Sequence, residues 1–127
     1  MKLLLLITEK DFDTRIFEKV MKNYGQVNAS FGDRCNYYVK HGKEYVAIDE
    51  YGREGVFYEI GELDEVGFEN PRFFGLEYTS VGLMSPILKS ILEYNNNVWV
   101  DNDRYLISGK SFLDRINKEP HWDFIND

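Results

Sequence analysis

The apolar positions open as an unbroken run, Leu3 to Ile7, then fall at helical spacing, then alternate with polar ones. A continuous run of that length predicts a strand over Lys2 to Thr8 that is buried on both faces and central in a sheet. Phe12, Ile16, Phe17, Val20, Met21 and Tyr24 form one stripe at spacings of three and four, the mark of an amphipathic helix. Asp13 is the predicted N-cap, Phe12 and Phe17 the hydrophobic staple, and Gly25 the closing residue.

From Gln26 the period becomes two and the residues become aromatic and β-branched, as in antiparallel strands joined by short turns. Asn28 to Lys40 reads as one strand or a hairpin, and Glu44 to Asp49 as the next, after a turn at His41 and Gly42. Val56 to Ile60 follows a turn at Tyr51 to Gly55, which completes a meander. Gly61 to Arg72, rich in acid, Gly, Asn and Pro, reads as a surface loop, and Phe73 to Thr79 as a further strand. Ser85 and Pro86 are the expected cap and first turn of a second helix, whose start could also lie near Ser80. Ile87, Leu88, Ile91 and Leu92 form its apolar face, and Asn95 to Asn97 end it. Val98 to Val100 and Tyr105 to Ile107 read as short strands around a turn at Asp101 to Arg104. Ser108 caps a last helix with Phe112, Leu113 and Ile116 inward, Pro120 ends it, and Trp122 and Phe124 fold back onto the body. The expected fold is α+β: a mainly antiparallel sheet with about three helices packed on one face, residues 1–127 forming one domain.

Composition narrows the class. A hydrophobic fraction of 43% and an aromatic fraction of 16% supply enough apolar area to offset ordering entropy. Cys35, the single cysteine, cannot form an internal disulfide, which fits a reducing compartment. Leu3 to Ile7 is too short for a secretory core, and no apolar run approaches the roughly 20 residues of a membrane-spanning helix. A cytoplasmic protein is expected.

Charge sharpens the picture. Glu44 to Glu77 holds ten carboxylates against two arginines, a net charge of −8 where the whole chain carries −7. Such regional acidity repels phosphate backbones, so nucleic acid is not an expected direct partner, whereas a basic protein is. Tyr45, Tyr51, Phe57, Tyr58, Phe68, Phe73, Phe74 and Tyr78 interleave with the carboxylates, and aromatic anchors within a charged rim are a common build of protein interfaces. The competing reading is that the aromatics face the core and the acids merely solvate a sheet.

No catalytic signature appears. Gly109, Lys110 and Ser111 end like a phosphate-binding loop, but Arg104 stands where its first glycine is required. Asp101, Asn102 and Asp103 begin like a calcium loop, but Leu106 and Phe112 replace its glycine and glutamate. His41 and His121 have no companion at metal-ligand spacing. Asp49 and Glu50, adjacent in a strand, point to opposite faces and so do not form a carboxylate pair. No metal site and no cofactor are expected.

The C-terminal third resembles small bacterial immunity proteins of polymorphic and contact-dependent toxin systems. The shared pattern is a helix (Pro86 to Tyr94), a short apolar strand (Val98 to Val100), an Asp-Asn-Asp turn (Asp101 to Asp103), a helix with a Gly and a Phe (Gly109, Phe112), and a closing Pro-x-Trp-Asp (Pro120 to Asp123). The resemblance implies a protein that neutralises a cognate toxin by binding it. The acidic stretch adds that the toxin is basic, as a nuclease is, and that Asp49, Glu50, Glu54, Glu62, Asp64 and Glu65 meet it with Tyr51 as aromatic anchor. Two other classes stand beside this one: a small enzyme whose groups converge from distant strands, and a homo-oligomeric structural or regulatory domain.

Overall fold

A computed structural model describes residues 2–32, 34–52, 58, 61–102, 105–119 and 122. Its strands are β1 (Lys2–Thr8), β2 (Val27–Ser30), β3 (Asn36–His41), β4 (Glu44–Tyr51), β5 (Arg72–Tyr78), β6 (Val98–Asp101) and β7 (Leu106–Ser108). They form one antiparallel sheet in the order β2-β3-β4-β5-β1-β6-β7. The helices α1 (Arg15–Met21), α2 (Val81–Tyr94) and α3 (Gly109–Lys118) pack on one face of it, so the expected α+β architecture is the observed one.

Alternation sorts the side chains between the two faces. Leu4, Leu6, Tyr37, Val39, Val46, Ile48, Phe74, Leu76, Tyr78, Val98 and Val100 turn toward the helices and meet Phe17, Val20, Met21, Leu88, Ile91 and Phe112 in the main core. On the other face a smaller cluster forms at one end, where Ile7 and Phe73 meet Val66 from the 61–71 loop, flanked by Leu63, Phe68, Tyr58 and Trp99. The first strand is central, as its apolar run predicts. It is buried on both faces only in its second half, since Leu3 is 50% exposed.

Local signals set most element ends. Ser108 Oγ accepts from Ser111 N at 3.2 Å, the expected cap of α3. Trp122 returns to the core against Phe112, ring centroids 5.4 Å apart, with the Arg115 guanidinium 4.1 Å from its own ring centroid. One helix takes the earlier of its two expected starts, and another begins one residue later than expected. The second helix begins at Val81, capped by Ser80 Oγ accepting from Leu83 N at 3.3 Å, so Pro86 lies inside it and Ser85 is not its cap. The first begins after Thr14, which makes no side-chain cap bond; the Asp13 carboxylate still accepts from Arg15 N at 3.1 Å, the kind of bond a capping side chain makes, and from Arg15 Nε at 2.9 Å. Phe12 still stacks on Phe17, centroids 5.3 Å apart. Gly25 does not close the helix in a left-handed conformation. It sits where a Cβ would meet the Lys40 carbonyl oxygen at 2.7 Å, which lets the turn pass close to β3. The expected strand at Val56 to Ile60 and the calls on Asp103, Pro120, His121 and Phe124 lie outside the described residues.

Candidate partner-binding surface

Asp49 and Glu50 end β4 on opposite faces. Glu50 opposes Phe74 on the helix-covered side, and Arg72, two residues along β5, reaches back to it. Arg72 Nε donates to Glu50 Oε2 at 2.9 Å and Nη2 to Oε1 at 3.0 Å, a bidentate pair. The same Glu50 Oε1 accepts from Cys35 N at 3.2 Å and Cys35 Sγ at 3.4 Å, while Arg72 Nη1 donates to the Phe12 carbonyl at 3.2 Å. Burial pushes the Glu50 carboxyl up, but the Arg72 and Cys35 hydrogen bonds outweigh it and hold the group below the ordinary glutamate value. Burial first, then the Glu50 charge, raises the thiol of Cys35, which is buried in the main core. The cluster ties the chain before α1, the approach to β3, and strands β4 and β5 together.

Asp49, one residue earlier, faces the open side. It opposes Gly75 on β5 and Asn36 on β3, whose side-chain amide, turned over, would place its nitrogen 3.1 Å from Asp49 Oδ1. The neighbouring charge on this face is another carboxylate, Glu77, which opposes Ala47. Burial and then the Glu77 charge raise the Asp49 carboxyl above its ordinary value. Among the described residues neither acid has an ion pair.

Tyrosines complete this face. Tyr38 and Tyr45 stack across β3 and β4 with centroids 5.5 Å apart and planes 30° apart, and Tyr45 Oη donates to Glu77 Oε2 at 3.3 Å. Tyr51 lies back over Gly75, where any Cβ would collide with its ring and hydroxyl. Burial, then the charges of Asp49 and Glu77, raise the Tyr51 phenol. Ala47 and Gly75, both buried, thus lie among Tyr38, Tyr45, Tyr51, Asp49 and Glu77. Glu62, Asp64 and Glu65 are exposed on the 61–66 turns, whose Leu63 and Val66 pack on the adjoining end of the same face.

The structure therefore gathers Asp49, Tyr51, Glu62, Asp64 and Glu65 on one side, and puts Glu50 on the other, inside an internal ion pair. Glu54 lies outside the described residues. No known protein-family model, curated protein or solved structure matches the chain. The surface has to be read from its own chemistry.

Two participants were not singled out by sequence, Glu77 and Tyr38, and Tyr45 was named only among the interleaved aromatics. Each joins the face through pairing, Glu77 across from Ala47 and Tyr38 across from Ala47 on its other side. Strand parity was visible in the sequence, but the register that converges on Ala47 was not. His41 sits at the far end of β3, with Nδ1 2.8 Å from the Tyr24 carbonyl oxygen, away from both carboxylates. Among the described residues no three His, Cys, Asp or Glu side chains are placed to hold a metal, and no helix is long and apolar enough to cross a membrane.

Proposed function

We propose that this protein is a cytoplasmic immunity protein that binds and neutralises a cognate protein toxin, a cationic nuclease, through the open face of its sheet and the acidic 61–66 turns. The observation that carries this reading is the pairing of Asp49 with Glu77. Two like charges sit side by side under half-buried tyrosines with no cation beside them among the described residues, an arrangement that a positively charged partner relieves. Glu62, Asp64 and Glu65 extend the same negative field, which attracts a basic surface over about one Debye length, ~8–10 Å at physiological salt. The resemblance of residues 86–123 to toxin-system immunity proteins gives the partner its biological class. Glu50 has no part in the surface, since its carboxylate is already neutralised by Arg72.

The test is a tagged pull-down from the source bacterium at low and high salt, with wild type and with D49K/E62K/D64K/E65K. The expected result is one basic protein, weakened by salt and lost on charge reversal, whose toxicity is suppressed by co-expression of the wild type. A partner retained unchanged by the reversed chain contradicts the proposal.

A further inference from the structure

We infer that the open face seats an amphipathic helix of the partner whose apolar stripe carries one basic residue, with Leu3 as the apolar anchor and Glu77 as the acceptor of that charge. The inference rests on reading this face as the docking surface and names the element that lies on it. Leu3 and Leu5 point to the open side of β1, where the exposed Leu3 opposes Glu77 and the half-buried Leu5 opposes Gly75 under the Tyr51 ring. Leu5 and Tyr51 pack against the minor core of Ile7, Val66 and Phe73, so the apolar surface runs from that core outward to Leu3. On the far side of Glu77, Ala47 leads to the Tyr38–Tyr45 stack. A leucine 50% exposed on a central strand is explained by its flank, since β6 pairs with β1 only from Leu5 to Thr8. Exposed apolar surface rimmed by carboxylates is the mark of an interaction site rather than of a solvated sheet.

The surroundings select the occupant. Strands β5, β4 and β3, which carry Glu77 and the tyrosines, each pair on both edges, so a strand cannot add there and the occupant must pack by side chains. A second copy presenting the same face would set Glu77 and Asp49 against their own like charges, which leaves a cationic partner. A helix has the right width. Leu3 on β1 and Tyr45 on β4 stand two strand spacings apart, roughly 10 Å, about the diameter of one helix, and Glu77 lies between them. Leu3 and Glu77 are directly opposite on adjacent strands, with Cβ atoms roughly 4.5–5.5 Å apart, close to the roughly 5–6 Å between helix side chains one turn apart. One helix therefore sets an apolar residue on Leu3 and, a turn away, a Lys or Arg on Glu77. The Tyr45 hydroxyl that donates to Glu77 at 3.3 Å is neutral and leaves that charge in place.

The experiment follows the Leu3 and Leu5 methyl resonances of the full chain by NMR during titration with three designed helical peptides. The first has a leucine stripe holding one lysine, the second has the same composition in an order that scatters the stripe, and the third holds glutamate in place of the stripe lysine. The expected result is saturable shifts at both leucines with the first, about tenfold weaker binding of the second, and no saturation with the third. Leu3→Ser, with its backbone amide spectrum still folded, should weaken the first peptide about tenfold, read at Leu5, and leave the salt dependence of what remains. E77Q should instead flatten the salt dependence. Equal binding of the first and second peptides, or binding undiminished in Leu3→Ser, would overturn the helix seat. If a basic partner is captured salt-dependently and equally by wild type and Leu3→Ser, the seat falls and the docking face stands. If the first peptide saturates as expected and no partner is captured, the seat stands and the immunity reading falls.

Discussion

On the helix-covered side of β4, Glu50 meets the arginine Arg72; one residue earlier, on the open side, Asp49 meets the carboxylate Glu77. The first acid sits at the edge of the core, where an unmatched charge would be costly, and the chain supplies its counter-ion with two short hydrogen bonds. The second sits on a half-buried surface that helices do not cover, and there the chain leaves two acids to repel each other. A charge required by the fold is matched within the fold. A repulsion that persists at a surface destabilises the free protein slightly, a cost that fits the proposed binding face.

The largest effect should come from breaking the matched side. Arg72→Met leaves Glu50 without its counter-ion and should cost about 3 kcal/mol in urea unfolding, with Glu50→Gln in the same chain recovering part of it. Because the folded Glu50 carboxyl is depressed, its contribution is present above the ordinary glutamate range and is lost as pH falls through the folded value. The next largest is Gly75→Ala, whose Cβ must push Tyr51 off the open face. This change should cost about 1–2 kcal/mol, seen as a lower thermal midpoint, and should displace the Tyr51 ring resonances.

A smaller effect of opposite sign is expected at Asp49. Its folded carboxyl is raised, so it holds its proton more tightly than the unfolded chain does, and ionisation penalises the fold at neutral pH. Asp49→Asn should therefore stabilise the protein by about 0.5 kcal/mol at pH 7, and the gap to wild type should close as pH falls through the folded Asp49 value. Smallest of all, E62Q/D64N/E65Q should change stability by no more than about 0.5 kcal/mol because the turns are exposed. The same triple change should slow association with a basic partner and flatten its salt dependence, measured by stopped flow.

The parts of the fold that one residue and its near neighbours decide were legible in the sequence. The unbroken Leu3 to Ile7 run placed the central strand, the alternation around His41 and Gly42 placed the β3–β4 hairpin, and Ser108 announced its helix. Helix starts were less legible where two polar residues compete. Asp13 shares its side chain between the Arg15 backbone N and the Arg15 side chain, so the helix boundary falls one residue later, and of the two starts offered for the second helix the later one, at Ser85 and Pro86, was the more conspicuous because Val81 and Gly82 are weak helix formers. Alternation also told that Asp49 and Glu50 diverge. Which of them would find a cation depended on the β4–β5 register, set across the 61–71 loop, and that register carries no local mark. For the same reason Glu77 was counted among the acids of the middle stretch without being recognised as the companion of Asp49.

The contrast between the two faces is tested most directly by carbon-detected NMR titration of the side-chain carboxyls of Asp49 and Glu50 in the free protein. An Asp49 value above the ordinary aspartate range together with a Glu50 value below the ordinary glutamate range is the predicted result, and in D49N/E77Q the Glu50 value should not move. An Asp49 carboxyl that titrates at or below its ordinary value would contradict the reading of this acid as one left unmatched for a partner.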